Sequence, residues 1–272
     1  MVESLESDMK HEFDDKGPDG PKGKIFILSS VLTTFSLFSG FYAIVSAVKL
    51  DFYHSAVAIM IAALFDGLDG RVARMTGTTS HFGMEYDSLS DLVAFGVAPA
   101  MLAFQWTLKP YGRLGWLAAF LYVATTALRL ARFNSQDVST AKKTFTGLPC
   151  PAAACMLATS LLFYLFLEEN GLGRYTDFLF QVKDFGMLLL VYLLSFLMVS
   201  SFQYLSFKHP ETNRARAFHF LVVMVLFVMV VATEPQVTLF VLGLVYILSA
   251  PFASAYRVLG HRRQGKKLEK PA

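Results

Sequence analysis

Apolar residues in this chain come in long blocks and not in short alternation with polar ones. After a polar opening, the blocks recur at residues 25–48, 52–75, 87–108, 113–133, 150–167, 185–207, 217–233 and 236–256. Each is close to the ~20 residues that a helix needs to cross a hydrocarbon core. In that medium a helix is the simple element that satisfies its own backbone polar groups. The pattern predicts an all-α fold, a polytopic membrane helix bundle of about eight transmembrane helices forming one domain over 25–256. Residues 1–24 are polar and acid-rich, too poor in apolar surface to order themselves. They are expected to form a flexible tail, and 257–272, RVLGHRRQGKKLEKPA, a basic one.

Charge gives the bundle an orientation. With eight spans, Lys22 and Lys24, Arg71 and Arg74, Arg129, Arg132, Lys142 and Lys143, Lys208, Arg214 and Arg216, and the basic tail all fall on one side. The other side receives Lys49, Lys109, Arg113, Arg174 and Lys183. By the positive-inside rule both termini are expected in the cytoplasm. The basic tail is expected to meet anionic membrane lipids there, each basic residue contributing about 1 kcal/mol. No cleavable signal pattern opens the chain, so its first apolar block is expected to serve as signal and anchor.

Composition narrows the class further. With 54% hydrophobic and 17% charged residues over 272, the chain is too apolar for an ordinary soluble domain. Cys150 and Cys155 are too few for a disulfide framework, and no zinc-ligand spacing surrounds them. They read as packing residues. A net charge of +3 with scattered basic residues speaks against nucleic-acid binding.

Against this lipid-compatible background, residues 66–91, DGLDGRVARMTGTTSHFGMEYDSLSD, carry four aspartates. Asp66 and Asp69 are three apart and Asp87 and Asp91 four apart, so on helices each pair shares a face. Two neighbouring helices could then turn four carboxylates into one space, at the cytoplasmic ends of the second and third spans. Two carboxylates repel by roughly 4 kcal/mol at about 4 Å and an effective dielectric of about 20. The compact remedy is one or two hard divalent cations, Mg²⁺ or Mn²⁺. On the residues alone, salt-bridged helices or the proton relay of a proton-coupled transporter are the alternatives. A transporter is expected to carry internal repeats and broken helices at mid-membrane, and no repeat is visible.

The full spacing is Asp66-x2-Asp69-Gly70-x2-Ala73-Arg74-x8-Gly83-x3-Asp87-x3-Asp91. It resembles the signature of the CDP-alcohol phosphotransferases, with every position filled. The resemblance implies an integral membrane enzyme that moves a phosphate-linked group from a CDP-activated donor to a hydroxyl, using two divalent cations. Asp66, Asp69, Asp87 and Asp91 would be the metal ligands, with Asp69 also close to the donor. Asp91, the aspartate nearest the acceptor in the family, would be the catalytic base or a fourth ligand. Gly70 and Ala73 keep the helix surface low where a nucleotide approaches, and Arg74 could pair with phosphate through its planar fork.

Beyond the motif, Phe38–Val45 (FSGFYAIV), Leu114–Asn134 (LGWLAAFLYVATTALRLARFN) and Phe145–Ala154 (FTGLPCPAAA) resemble the bacterial phosphatidylserine synthases of the integral-membrane type. That resemblance implies CDP-diacylglycerol and L-serine as substrates, phosphatidylserine and CMP as products, and a place in the bacterial inner membrane. Glycerol 3-phosphate, choline or inositol phosphate would be the acceptor in other members of the wider family. For serine, Arg129, Arg132 and Asn134 offer a pocket in which one arginine grips the carboxylate. The first span departs from the pattern: Ser29-Ser30 stand where Pro-Asn is common, and Ser36 where a later asparagine is common. Its many hydroxyls, Thr33 among them, read as close-packing residues. The last three spans are expected to complete the bundle and offer a homodimer contact.

Overall fold

A computed structural model describes residues 21–76, 81–135, 147–171, 176–200 and 233–249, with Met229 and Pro251. Among the described residues every regular element is helical. Helix α1 (Pro21–Val48) and α2 (Phe52–Thr76) form an antiparallel pair. Next comes α3 (His81–Asp91), which runs without a break through a π-helical turn at Leu92–Val97. The same rod continues as α4 (Ala98–Ala103), a second π-helical turn at Phe104–Leu108 and a 3₁₀ turn at Lys109–Tyr111. Helices α5 (Arg113–Asn134), α6 (Cys150–Glu169), α7 (Thr176–Val199) and the shorter α8 (Pro235–Ser249) complete the described part.

Among the described residues, four stretches are long and apolar enough to cross a membrane: Ser29–Val48, Phe82–Tyr111, Arg113–Asn134 and Cys150–Glu169. The expected span at 217–233 lies almost wholly outside the described residues, as do the expected tail 257–272 and residues 1–20 of the expected tail 1–24. Three expected boundaries move. The first helix begins at Pro21, not at 25, so residues 21–24 of the expected tail belong to α1. The third span starts at His81, not at 87, because the polar HFGMEY stretch is helical and carries the aspartates inward. The sixth starts at Thr176, not at 185, because the helix takes in the polar stretch ahead of the apolar block, Lys183 and Asp184 included. The Lys183 ammonium lies 5.4 Å from the Trp106 ring centroid and 4.8 Å from that of Tyr164, and 3.6 Å from Asp184. Aromatic faces and a neighbouring carboxylate let a lysine sit at a helix end beside an apolar core.

The chemistry of inside and outside is reversed from that of a water-soluble bundle. Phe38, Phe120 and Phe196 are more than 60% exposed, whereas Ser36, Ser46, Ser55, Thr126 and Ser195 are buried. Large apolar side chains face outward, as a lipid solvent permits, and small hydroxyl residues mediate helix contact. Ser55 donates to the Ala43 carbonyl at 2.8 Å and Ser36 to the Ala62 carbonyl at 3.1 Å, pinning α1 to α2.

The turn between α1 and α2 is short because it is a Schellman cap. Asp51 N–H reaches Ser46 O at 2.9 Å and Leu50 N–H reaches Ala47 O at 3.0 Å, with Leu50 at φ +62°. Asp51 then accepts from the His54 backbone at 3.3 Å and opens α2. The π-helical turns in the third rod have a local cause. Pro99 and Pro110 lack an N–H and crowd the carbonyl four residues back, so the turn before each proline widens. Ala98 N–H bonds Val93 O and Lys109 N–H bonds Phe104 O, both five residues apart. The first widened turn begins directly after Asp91.

Candidate active site

One carboxylate oxygen from each of Asp66, Asp69 and Asp87 lies within 4.8 Å of the others. Helical periodicity puts Asp66 and Asp69 on one side of α2, and α3 supplies Asp87 from across the gap. Asp91, one turn further along α3, adjoins the group: Asp66, Asp87 and Asp69 are its acidic neighbours, and Asp66 is within hydrogen-bonding reach. The two sequence-predicted pairs thus converge.

The first helix contributes directly. Thr33, buried in α1, donates its hydroxyl to Asp69 Oδ2 at 2.6 Å, short enough for a charge-assisted bond. The Gly70 backbone N–H also bonds Asp69, which fixes the orientation of a carboxylate that is almost fully buried. Ser90, between Asp87 and Asp91, donates to the Thr33 carbonyl at 3.2 Å and ties α3 to the same point of α1. The approach is close because of Gly40. A Cβ there would meet the Ala94 Cα at 2.6 Å and Cβ at 2.7 Å, in the widened turn after Asp91.

The donor set fits a hard divalent cation. All three converging groups are carboxylates, and octahedral Mg²⁺ or Mn²⁺ with oxygens at about 2.1 Å separates its ligands by roughly 3 to 4 Å. The separations within the cluster reach 4.8 Å, close to that spacing, and Asp91 extends the acidic surface beyond it.

The remaining predicted residues are distributed unevenly. Ala73 and Arg74 lie on the last turns of α2, but their side chains are outside the described set. Arg132 and Asn134 are exposed at the end of α5. Asn134 donates to Ser88 Oγ at 3.0 Å and to Glu85 at 3.4 Å, so it links α5 to the outer side of α3. Arg129 points inward: its Nη1 donates to Cys150 Sγ at 3.2 Å, and its Nε is buried without a hydrogen-bond partner among the described residues.

Sequence reasoning missed Thr33 and Cys150. From the sequence both are expected to pack, and no spacing rule distinguishes a hydroxyl or thiol that packs from one that bonds a distant polar group.

A profile of the CDP-alcohol phosphatidyltransferases matches residues 26–182, more than half of the chain and the whole aspartate site. The chain belongs to that family. Among curated relatives, a CDP-diacylglycerol–serine O-phosphatidyltransferase of Helicobacter pylori is 36% identical over 71% of this chain and 78% of its own length. The protein of that name from Mycobacterium leprae is 32% identical over 84% of this chain and 74% of its own. An archaetidylserine synthase of Methanothermobacter thermautotrophicus is 37% identical over 51% of this chain and 58% of its own.

Proposed function

We propose that this protein transfers the phosphatidyl group of CDP-diacylglycerol to the hydroxyl of L-serine, giving phosphatidylserine and CMP. The observation that carries the reading is the convergence of the Asp66, Asp69 and Asp87 oxygens within 4.8 Å. It occurs in a chain whose relatives over more than two thirds of both lengths are named for that transfer to serine.

In this reading the serine oxygen bonds to the phosphatidyl phosphorus as the bond from that phosphorus to the CMP oxygen breaks. Asp66, Asp69, Asp87 and Asp91 would hold two divalent cations, Mg²⁺ or Mn²⁺, which would supply positive charge to the phosphate oxygens of the donor. Thr33 and Gly70 keep the Asp69 carboxylate aimed into the site. Asp91 lies at the acceptor side and takes the hydroxyl proton as attack begins. Gly70 and Ala73 leave room for the nucleotide along α2, and Arg74 pairs with donor phosphate. Arg129 is the cation for the serine carboxylate, while Arg132 and Asn134 border the entrance from the aqueous side.

The aspartates lie within the last three turns of α2 and the first three of the third rod, so in this reading the diacyl chains remain among lipids while the nucleotide enters from the water side. We place the site, with both termini, on the cytoplasmic side of a bacterial inner membrane, on the distribution of basic residues.

The test is CMP release by the purified protein in detergent with CDP-diacylglycerol and Mg²⁺ or Mn²⁺. Serine, glycerol 3-phosphate, choline and inositol phosphate are supplied one at a time, and Asp87→Asn is run alongside. Release that requires serine and metal, and is lost in the variant, is the expected result. Release with another acceptor alone would refute serine as substrate.

A further inference from the structure

The GLPCP segment at 147–151 reads as a stiff turn, and its geometry points to a more specific task. Gly147 has φ +84°, and a Cβ on it would collide with the Met198 carbonyl at the end of α7. The next residue is clamped to the same helix end, with Leu148 N–H donating to Leu197 O at 3.0 Å. Pro149 then precedes α6 and Pro151 occupies its first turn, where a missing N–H costs nothing. Cys150 is thereby fixed in position, fully buried, from both directions.

The Cys150 sulfur accepts the Arg129 Nη1 hydrogen at 3.2 Å, and Asp91 is its acidic neighbour. Holding Nη1 leaves the Nε–Nη2 edge of the guanidinium, the edge that pairs with a carboxylate through two parallel bonds, directed away from the sulfur. Nε on that edge is buried and unpartnered among the described residues.

We infer that Cys150 is a positioning residue, whose sulfur orients Arg129 so that its free edge receives the carboxylate of the amino-acid acceptor beside Asp91. The inference rests on serine being the acceptor. It assigns the cysteine an orienting role rather than a redox or metal-binding one.

The experiment measures CMP release by the full-length protein, with L-serine varied at saturating CDP-diacylglycerol and metal, for wild type, Cys150→Ala, Cys150→Ser and Arg129→Lys. Cys150→Ala is expected to raise the serine KM about 10-fold while kcat and the KM for CDP-diacylglycerol stay within about twofold. Cys150→Ser, which keeps an acceptor at the same place, is expected to stay near wild type. Adding Cys150→Ala to Arg129→Lys is expected to raise the serine KM no further, since both act through one group. A packing role predicts the opposite order, with apolar alanine tolerated at least as well as serine. That order, or an unchanged serine KM in Cys150→Ala, overturns the inference while leaving serine-dependent release intact. Wild-type protein that releases no CMP with serine overturns the acceptor assignment and this inference together.

Discussion

Thr33→Val tests whether the first helix takes part in the site or only packs beside it. Valine nearly matches threonine in shape, so the change removes the hydroxyl without opening a cavity. What is lost is the 2.6 Å bond to Asp69. A hydrogen bond to a charged group contributes about 1.5 to 3 kcal/mol, or roughly 10- to 150-fold in an equilibrium constant. Loss of a group that orients a metal ligand costs about 10- to 100-fold in metal affinity or activity, in agreement. The assay is CMP release as a function of Mn²⁺ concentration. The half-saturating concentration is expected to rise within that range, with much of kcat recovered at high metal. Thr33→Ser, which restores the donor, is expected to stay near wild type. Wild-type metal dependence in Thr33→Val, or equal impairment in Thr33→Ser, would refute the reasoning.

Three further outcomes are expected. Chelation should abolish CMP release, and Mg²⁺ or Mn²⁺ should restore it, because an all-carboxylate donor set suits hard cations; activity that persists in excess chelator would exclude a metal-dependent step. Gly40→Ala should lower thermal stability in detergent by about 1 to 3 kcal/mol, because the new methyl meets Ala94 backbone. Release should fall too, since α1 carries Thr33. Leu50→Gly should raise stability by about 1 kcal/mol, because a side chain 60% exposed at φ +62° gives little in return for its left-handed backbone. A lower melting temperature would instead assign that leucine a role in lipid contact.

What the sequence made legible, and what it left hidden, divides along one physical line. Asp66 with Asp69, and Asp87 with Asp91, could be placed on shared faces because a helix repeats every 3.6 residues whatever surrounds it. The apolar blocks located the described membrane helices for a similar reason, since the length of a span follows from the thickness of a bilayer. Thr33 meeting Asp69, Ser90 meeting the Thr33 carbonyl and Arg129 meeting Cys150 depend instead on how two helices cross, and crossing is set by contacts distant in sequence. Gly40 illustrates the limit. A glycine among small hydroxyl residues suits close packing, but nothing in the spacing names its partner as Ala94, three residues past Asp91 in a turn widened ahead of Pro99. That contact draws α1 against the third rod, and on it depends whether a threonine in the first span merely packs or holds the Asp69 carboxylate in place.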